Sequence, residues 1–247
     1  MSTFKGDVYV VGAGAGGTRL IEKMVKKVPP KRVLVIDGDV FEDKNLERQI
    51  FPAEYLGVNK AIAMSQMYGV RALPEFYYHG ILKPKPGDVF FCMADNNACR
   101  AAVLETCDAF SCMAFFAAHE RETTQAYVYT NAMKGTPNDP RILYPGILTD
   151  HSGDPLGPPG CVEAMQTPKE GEEPGDPLLV DLNVSFALCL FNFWTKVKPT
   201  LEPWTKPRWP VAMDYSSASG LARTVHYEDR LPVLRDASCV KETEAAA

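Results

Sequence analysis

A chain of 247 residues with 46% hydrophobic and 23% charged side chains can bury a full core and is expected to form one globular domain, which excludes a protein disordered throughout. Its formal charge is −5 and its 26 Lys and Arg are scattered, so no basic footprint for nucleic acid or an anionic membrane surface is present and neither is expected as a partner. The odd number of cysteines, without a CxxC or disulfide-like spacing, reads as reduced thiols; with an N-terminal apolar run too short for a signal peptide and no spanning stretch of ~20 apolar residues, a cytoplasmic chain is expected.

In chain order, DVYVVG (7–12) reads as a buried strand, and Leu20, Ile21, Met24 and Val28 fall at helical spacing over 15–28. Pro29 and Pro30 end that helix and RVLVID (32–37) is a second strand, giving one βαβ unit on a parallel sheet. A helix is expected over 60–68, then strands at FYYHGIL (76–82) and DVFFCM (88–93). Only KPKPG separates these two, so they pair antiparallel or their crossover is abbreviated. A helix over 96–109 follows, and CMAFFAAHE and QAYVYT form a hairpin across RETT.

Nine prolines and seven glycines between Asn131 and Pro177 forbid long helices or central strands and mark a crossover loop. Residues 178–197 are apolar on almost every side and predict a buried helix. WPVAMDY and ARTVHYE predict a terminal strand pair. The fold class is therefore α/β: a doubly wound, Rossmann-like, mainly parallel sheet ending in an antiparallel hairpin. Its segments are a core over 1–130, the Pro/Gly-rich loop over 131–177, and a completing helix and strands over 178–247.

Gly12, Gly14 and Gly17 make a GxGxxG after a strand and before a helix, where close backbone approach and the helix dipole favour phosphate. Asp37, at the end of the second strand, has the position of a ribose ligand, which alone suggests NAD and a hydride-transferring enzyme. The stretch DGDVFEDKNLERQIF (37–51) points elsewhere. Cleavage between α- and β-phosphates builds negative charge that Arg48 and Lys60 could meet. Asp95, in MADNNACR at the tip of the strand 88–93, could hold a Mg²⁺ ion on the phosphates.

VGAGAGG (11–17), IDGDVFEDKNLERQIF (36–51), GVNKA (57–61) and ADNNACR (94–100), followed by the hairpin, together resemble the ThiF/MoeB/HesA adenylating enzymes, bacterial relatives of ubiquitin-activating enzymes. The resemblance runs from about residue 7 to 130. It implies ATP- and Mg²⁺-dependent adenylation of the C-terminal carboxylate of a ubiquitin-like or sulfur-carrier protein, or of a peptide, with release of pyrophosphate. Asp37 would hold the ribose, with Asp39 and Asn96 beside the nucleotide; Asn45, Arg48 and Gln49 would serve the phosphates and the site geometry; Lys60 would serve the phosphates and Asp95 the metal. A homodimer or heterodimer is implied, through the hairpin and the helix at 178–197.

Three departures accompany the resemblance. The chain begins almost at its first strand, so the arginine-bearing N-terminal arm of relatives is expected to be missing or supplied by another protein. The paired CxxC zinc ligands do not occur, so no structural zinc is expected. The segment 83–87 leaves out a helix. A non-catalytic scaffold subunit of a heterodimeric activating enzyme and an NAD-dependent oxidoreductase stand as alternatives.

Relatives also carry a cysteine on the crossover loop that takes the activated protein. Cys161 is the cysteine of this chain on such a loop; the competing reading is an incidental loop thiol, because no base is visible beside it. Cys92, Cys99, Cys107, Cys112 and Cys189 fall on buried-looking elements. His79, His119, His151 and His226 show no metal-like spacing.

Overall fold

The computed structural model describes residues 4–46, 49–119, 123–150, 177–196, 210–217 and 219–226. Strands β1 (Val8–Val11), β2 (Val33–Ile36), β3 (Arg71–Leu73), β4 (Val89–Cys92), β5 (Met113–His119), β6 (Thr123–Thr130), β7 (Pro210–Ser216) and β8 (Leu221–His226) form one sheet. Its order is β3-β2-β1-β4-β5-β6-β7-β8. β1 to β5 run parallel, and β6, β7 and β8 are added antiparallel. The principal helices are α1 (Ala15–Met24), α2 (Lys60–Tyr68) and α3 (Asn97–Phe110). One-turn helices α4 (Pro140–Leu143) and α5 (Gly146–Thr149) and the long α6 (Pro177–Lys196) follow.

β1 and β4 are buried along their whole length, so they read as unbroken apolar runs. Successive residues of β4 then serve opposite faces. Phe90 stacks on Tyr9 and meets Tyr77 edge-on, and the Tyr77 hydroxyl donates to Thr106 of α3 at 2.8 Å. Phe91 packs against Phe115 and against Phe191 of α6. Helices thus cover both faces, as the doubly wound reading requires.

The helix ends follow local chemistry. Asn59 caps α2 by accepting from Ile62 N, and Gly69 closes it in the left-handed conformation. Asn96 caps α3 by accepting from Cys99 N at 2.8 Å. Pro140 takes the first position of α4, where its missing N–H costs nothing, and Asp139 accepts from Arg141 N.

The predicted strand at 76–82 is not formed. The third strand is Arg71–Leu73, parallel to β2, and residues 74–88 cross to β4 without a helix. The aromatic character that suggested a strand has another cause: Tyr77 is an anchor into the core, while Tyr78, His79 and Gly80 are exposed. The abbreviated crossover stands. Of the Pro/Gly-rich stretch, residues 131–150 hold a 3₁₀ turn and the two one-turn helices; residues 151–176, with His151 and Cys161, lie outside the described residues.

α6 is long and apolar enough to cross a membrane by length and composition alone, a property not anticipated from the sequence. Here it lies against β5, β6 and α1, with Val184, Ala187, Leu190, Phe191 and Trp194 buried. Leu178, Asp181, Ser185 and Cys189 form its exposed stripe at helical spacing. Cys189 is therefore exposed, contrary to the sequence reading, whereas Cys92, Cys99, Cys107 and Cys112 are buried. Burial pushes the Cys107 thiol up and that of Cys112 up to about 12, which keeps both unreactive. The hairpin and α6, expected at a subunit interface, pack on each other within the chain.

Candidate functional site

The site is built where β1, β2 and β4 end together. Gly12 leaves β1 with φ of +92°, and a Cβ there would stand 3.0 Å from Ala94 N, because the chain leaving β4 crosses it. Gly17, in the first turn of α1, faces back onto the turn: a Cβ would lie 2.0 Å from the Gly12 carbonyl oxygen. Gly14 differs from both. Nothing lies within 4 Å of where its Cβ would be. Two glycines therefore let the turn and helix close on each other, and the third leaves space outside them. Gly14 is the N-cap of α1, without a side-chain cap, and the first turn carries no acidic residue, so no side chain of α1 itself offsets the positive helix end.

Asp37 ties the second strand to this turn. Its Oδ2 accepts from Ala13 N at 2.6 Å and its Oδ1 from Asp39 N at 2.8 Å. The residue is 8% exposed. Burial pushes its carboxyl above the ordinary carboxylate range, against the opposing pull of Lys60 and the two N–H groups. Lys60, the first residue of α2, donates to Asp39 Oδ2 at 3.1 Å, with its side chain 9% exposed against 56% for Asp39. Asn59 donates to the carbonyls of both Asp37 and Asp39, so the α2 cap and the β2 tip share one polar cluster.

Asp95 emerges directly after the Met93–Ala94 peptide that crosses Gly12. Its side chain is exposed and has no hydrogen-bond or ion-pair partner among the described residues. Asn96, beside it, is committed through Oδ1 to capping α3. Among the described residues no three His, Cys, Asp or Glu gather as a metal cage. A Mg²⁺ ion at Asp95 would fit the usual manner of that cation, one carboxylate with the rest of its shell from phosphate and water.

Residues 42–46 and 49–51 are anchored rather than loose. Asn45 and Glu42 form a reciprocal capping box, and Ile50 N donates to Thr18 Oγ1 on α1 at 3.4 Å. Phe41 and Phe51 stack beneath it. Asn45 is thus a buried framework residue. Gln49 Oε1 is buried with no partner among the described residues. Arg48 lies outside the described residues.

Three residues of this region escaped the sequence reading. Asn59 is one. Asn183 on α6, 1% exposed, donates through Nδ2 to Ala118 O and Gln125 O, both at 2.8 Å, and so bridges β5 and β6 at the turn end of their hairpin. Its Oδ1 has no partner among the described residues and lies 3.8 Å from where a Gly16 Cβ would be. Phe76 lies flat on Gly38. Each contact joins segments far apart in the chain, which no local pattern reveals.

No family model and no curated protein matches the chain. Solved structures do. Escherichia coli MccB with ATP aligns at a TM-score of 0.62 and 12% identity, over 90% of this chain and 64% of that one. MccB with AMPCPP and MccA gives 0.60 and 13% over the same shares. PaaA gives 0.56 and 14%, again over 90% and 64%. The chain spans less than two-thirds of the length of these structures, and at such identities the likeness concerns architecture: the chain has the α/β fold of MccB and PaaA.

Proposed function

We propose that the protein activates a carboxylate by adenylation with ATP and Mg²⁺, releasing pyrophosphate. The observation that supports this best is the convergence at one corner of three features. They are the open Gly14 face at the start of α1, the buried Asp37 carboxylate on Ala13 N, and the exposed Asp95, without a hydrogen-bond or ion-pair partner among the described residues, on the segment that crosses Gly12. That MccB has been solved with ATP, and with AMPCPP together with MccA, agrees with this reading.

On this reading the α1 amides and Gly14 cradle the phosphates and Asp37 takes the ribose. Arg48 and Lys60 meet the negative charge that builds on the α-phosphate and on the departing pyrophosphate. A carboxylate oxygen attacks the α-phosphorus as the bond to pyrophosphate breaks. Mg²⁺, held at Asp95, would neutralise phosphate charge. The acyl group is the C-terminal carboxylate of a ubiquitin-like or sulfur-carrier protein ending in glycine, or of a peptide, and Cys161 is the candidate acceptor of the activated acyl group. The setting is cytoplasmic and the working form a dimer.

One observation favours a second reading, a non-catalytic scaffold subunit: Lys60 is already paired with Asp39. ATP–pyrophosphate exchange with purified protein and glycine-terminated partners separates the two. Exchange that needs Mg²⁺ and a partner, and vanishes in Arg48→Ala and Asp95→Ala, is the expected result. Exchange that survives in both variants overturns the mechanism, and nucleotide binding without exchange until a second subunit is added identifies the scaffold.

A further inference from the structure

Gly38 stands between Asp37 and Asp39, yet its backbone is not in the left-handed region, so no conformational reason demands glycine there. The reason is steric. A Cβ at Gly38 would stand 2.7, 2.7 and 2.8 Å from Cδ2, Cγ and Cε2 of Phe76, a contact that only the absence of a side chain permits. Three ring carbons at nearly equal distance mean that the face of the ring, not its rim, lies on the Gly38 peptide.

Phe76 is not held there by its own burial, since it is only half-buried. Its neighbours hold it. Tyr77 is sunk into the core with its hydroxyl on Thr106 at 2.8 Å, and His79 Nδ1 is 3.2 Å from the same Thr106 oxygen. An aromatic ring is thus pinned, partly open, against the residue that follows Asp37. Because Gly38 directly follows Asp37, a nucleotide whose ribose sits on the Asp37 carboxylate carries its base, one glycosidic bond away, within reach of this ring.

Resting on the reading of the glycine turn as an ATP site, we infer that Phe76 is the residue that stacks on the base and selects a purine. A large base overlaps the ring more than a pyrimidine does, and stacking is indifferent to base-edge hydrogen bonds, so ATP and GTP should both bind better than CTP or UTP. Gly38 and Phe76 act as a pair: Gly38→Ala should expel the ring and reproduce the loss of preference.

The test is calorimetric titration of Mg·ATP and Mg·CTP into wild type, Phe76→Leu, Phe76→Ala and Phe76→Trp, with melting curves for each. Phe76→Leu keeps the apolar bulk without the ring and serves if the alanine variant unfolds. Wild type should prefer ATP by at least about tenfold; Phe76→Leu should weaken ATP about tenfold with little change for CTP. Phe76→Trp should keep the preference, and its emission above the background of the three native tryptophans should be quenched by ATP. An ATP-to-CTP ratio unchanged in Phe76→Leu overturns the inference while leaving the ATP site standing. Failure of wild type to bind either nucleotide removes both.

Discussion

The Asp37 carboxylate receives the Ala13 N–H at 2.6 Å, joining the tip of β2 to the glycine turn across 24 residues of chain. Through its other oxygen and Asp39 the same group reaches Lys60. The residue proposed to hold a ribose is therefore also a structural acceptor. Asp37→Ala leaves two N–H groups without their acceptor and should cost about 1–3 kcal/mol in urea unfolding. Loss of nucleotide binding should accompany it. An unchanged unfolding midpoint would show that water replaces the carboxylate.

The glycines of the turn separate stability from binding. Gly17→Ala drives a Cβ into the Gly12 carbonyl and should destabilise by about 1–3 kcal/mol. Gly14→Ala meets no protein atom within 4 Å, and the loss of glycine at an N-cap should cost under about 1 kcal/mol. It should nevertheless weaken ATP binding at least tenfold, because the new methyl fills the space left for phosphate. Melting curves beside ATP titrations check both outcomes.

Asp108 gives a pH signature. Burial works to raise its carboxyl, but hydrogen bonds from Arg141, Tyr129 and Lys134 outweigh this and hold it below the ordinary range. A lowered folded-state value supplies stability that is present above the unfolded value, about 3.9, and lost as pH falls through the folded one. Unfolding followed from pH 6 down to pH 2 should show that loss in wild type. Asp108→Asn should be less stable at pH 6 and should show a shallower decline.

Asn183→Leu removes the donor that Ala118 O and Gln125 O share. Ala118 O keeps Thr124 Oγ1 as a donor, so the loss should cost about 1–3 kcal/mol chiefly through Gln125 O, with faster amide exchange at the turn end of β5 and β6 as the local readout. Exchange there at the wild-type rate would mean that the bridge is dispensable.

The βαβ unit, α2, α3, the hairpin and α6 were legible because each is an apolar run, periodic or unbroken, bounded by turn-forming or helix-ending residues. β3 was not. Three residues with an exposed Arg71 at a sheet edge carry no pattern, while FYYHGIL imitates a strand with aromatics that serve as a core anchor and a ring on Gly38. Around the candidate site, the positions of Asp37 and Asp95 beyond strand ends and of the glycine turn between β1 and α1 were legible from the strand pattern and the spacing. Asn59, Phe76 and Asn183 were not, because their partners lie 20 to 65 residues away or more and are set by the packing of α2, the β3–β4 crossover and α6.

The most direct measurement is calorimetric titration of Mg·ATP into the purified protein and into Asp37→Ala and Gly14→Ala. One site per chain, lost or weakened at least tenfold in both variants, is the predicted result. Wild type that binds no ATP, or binding that survives undiminished in both variants, contradicts an ATP site at the glycine turn.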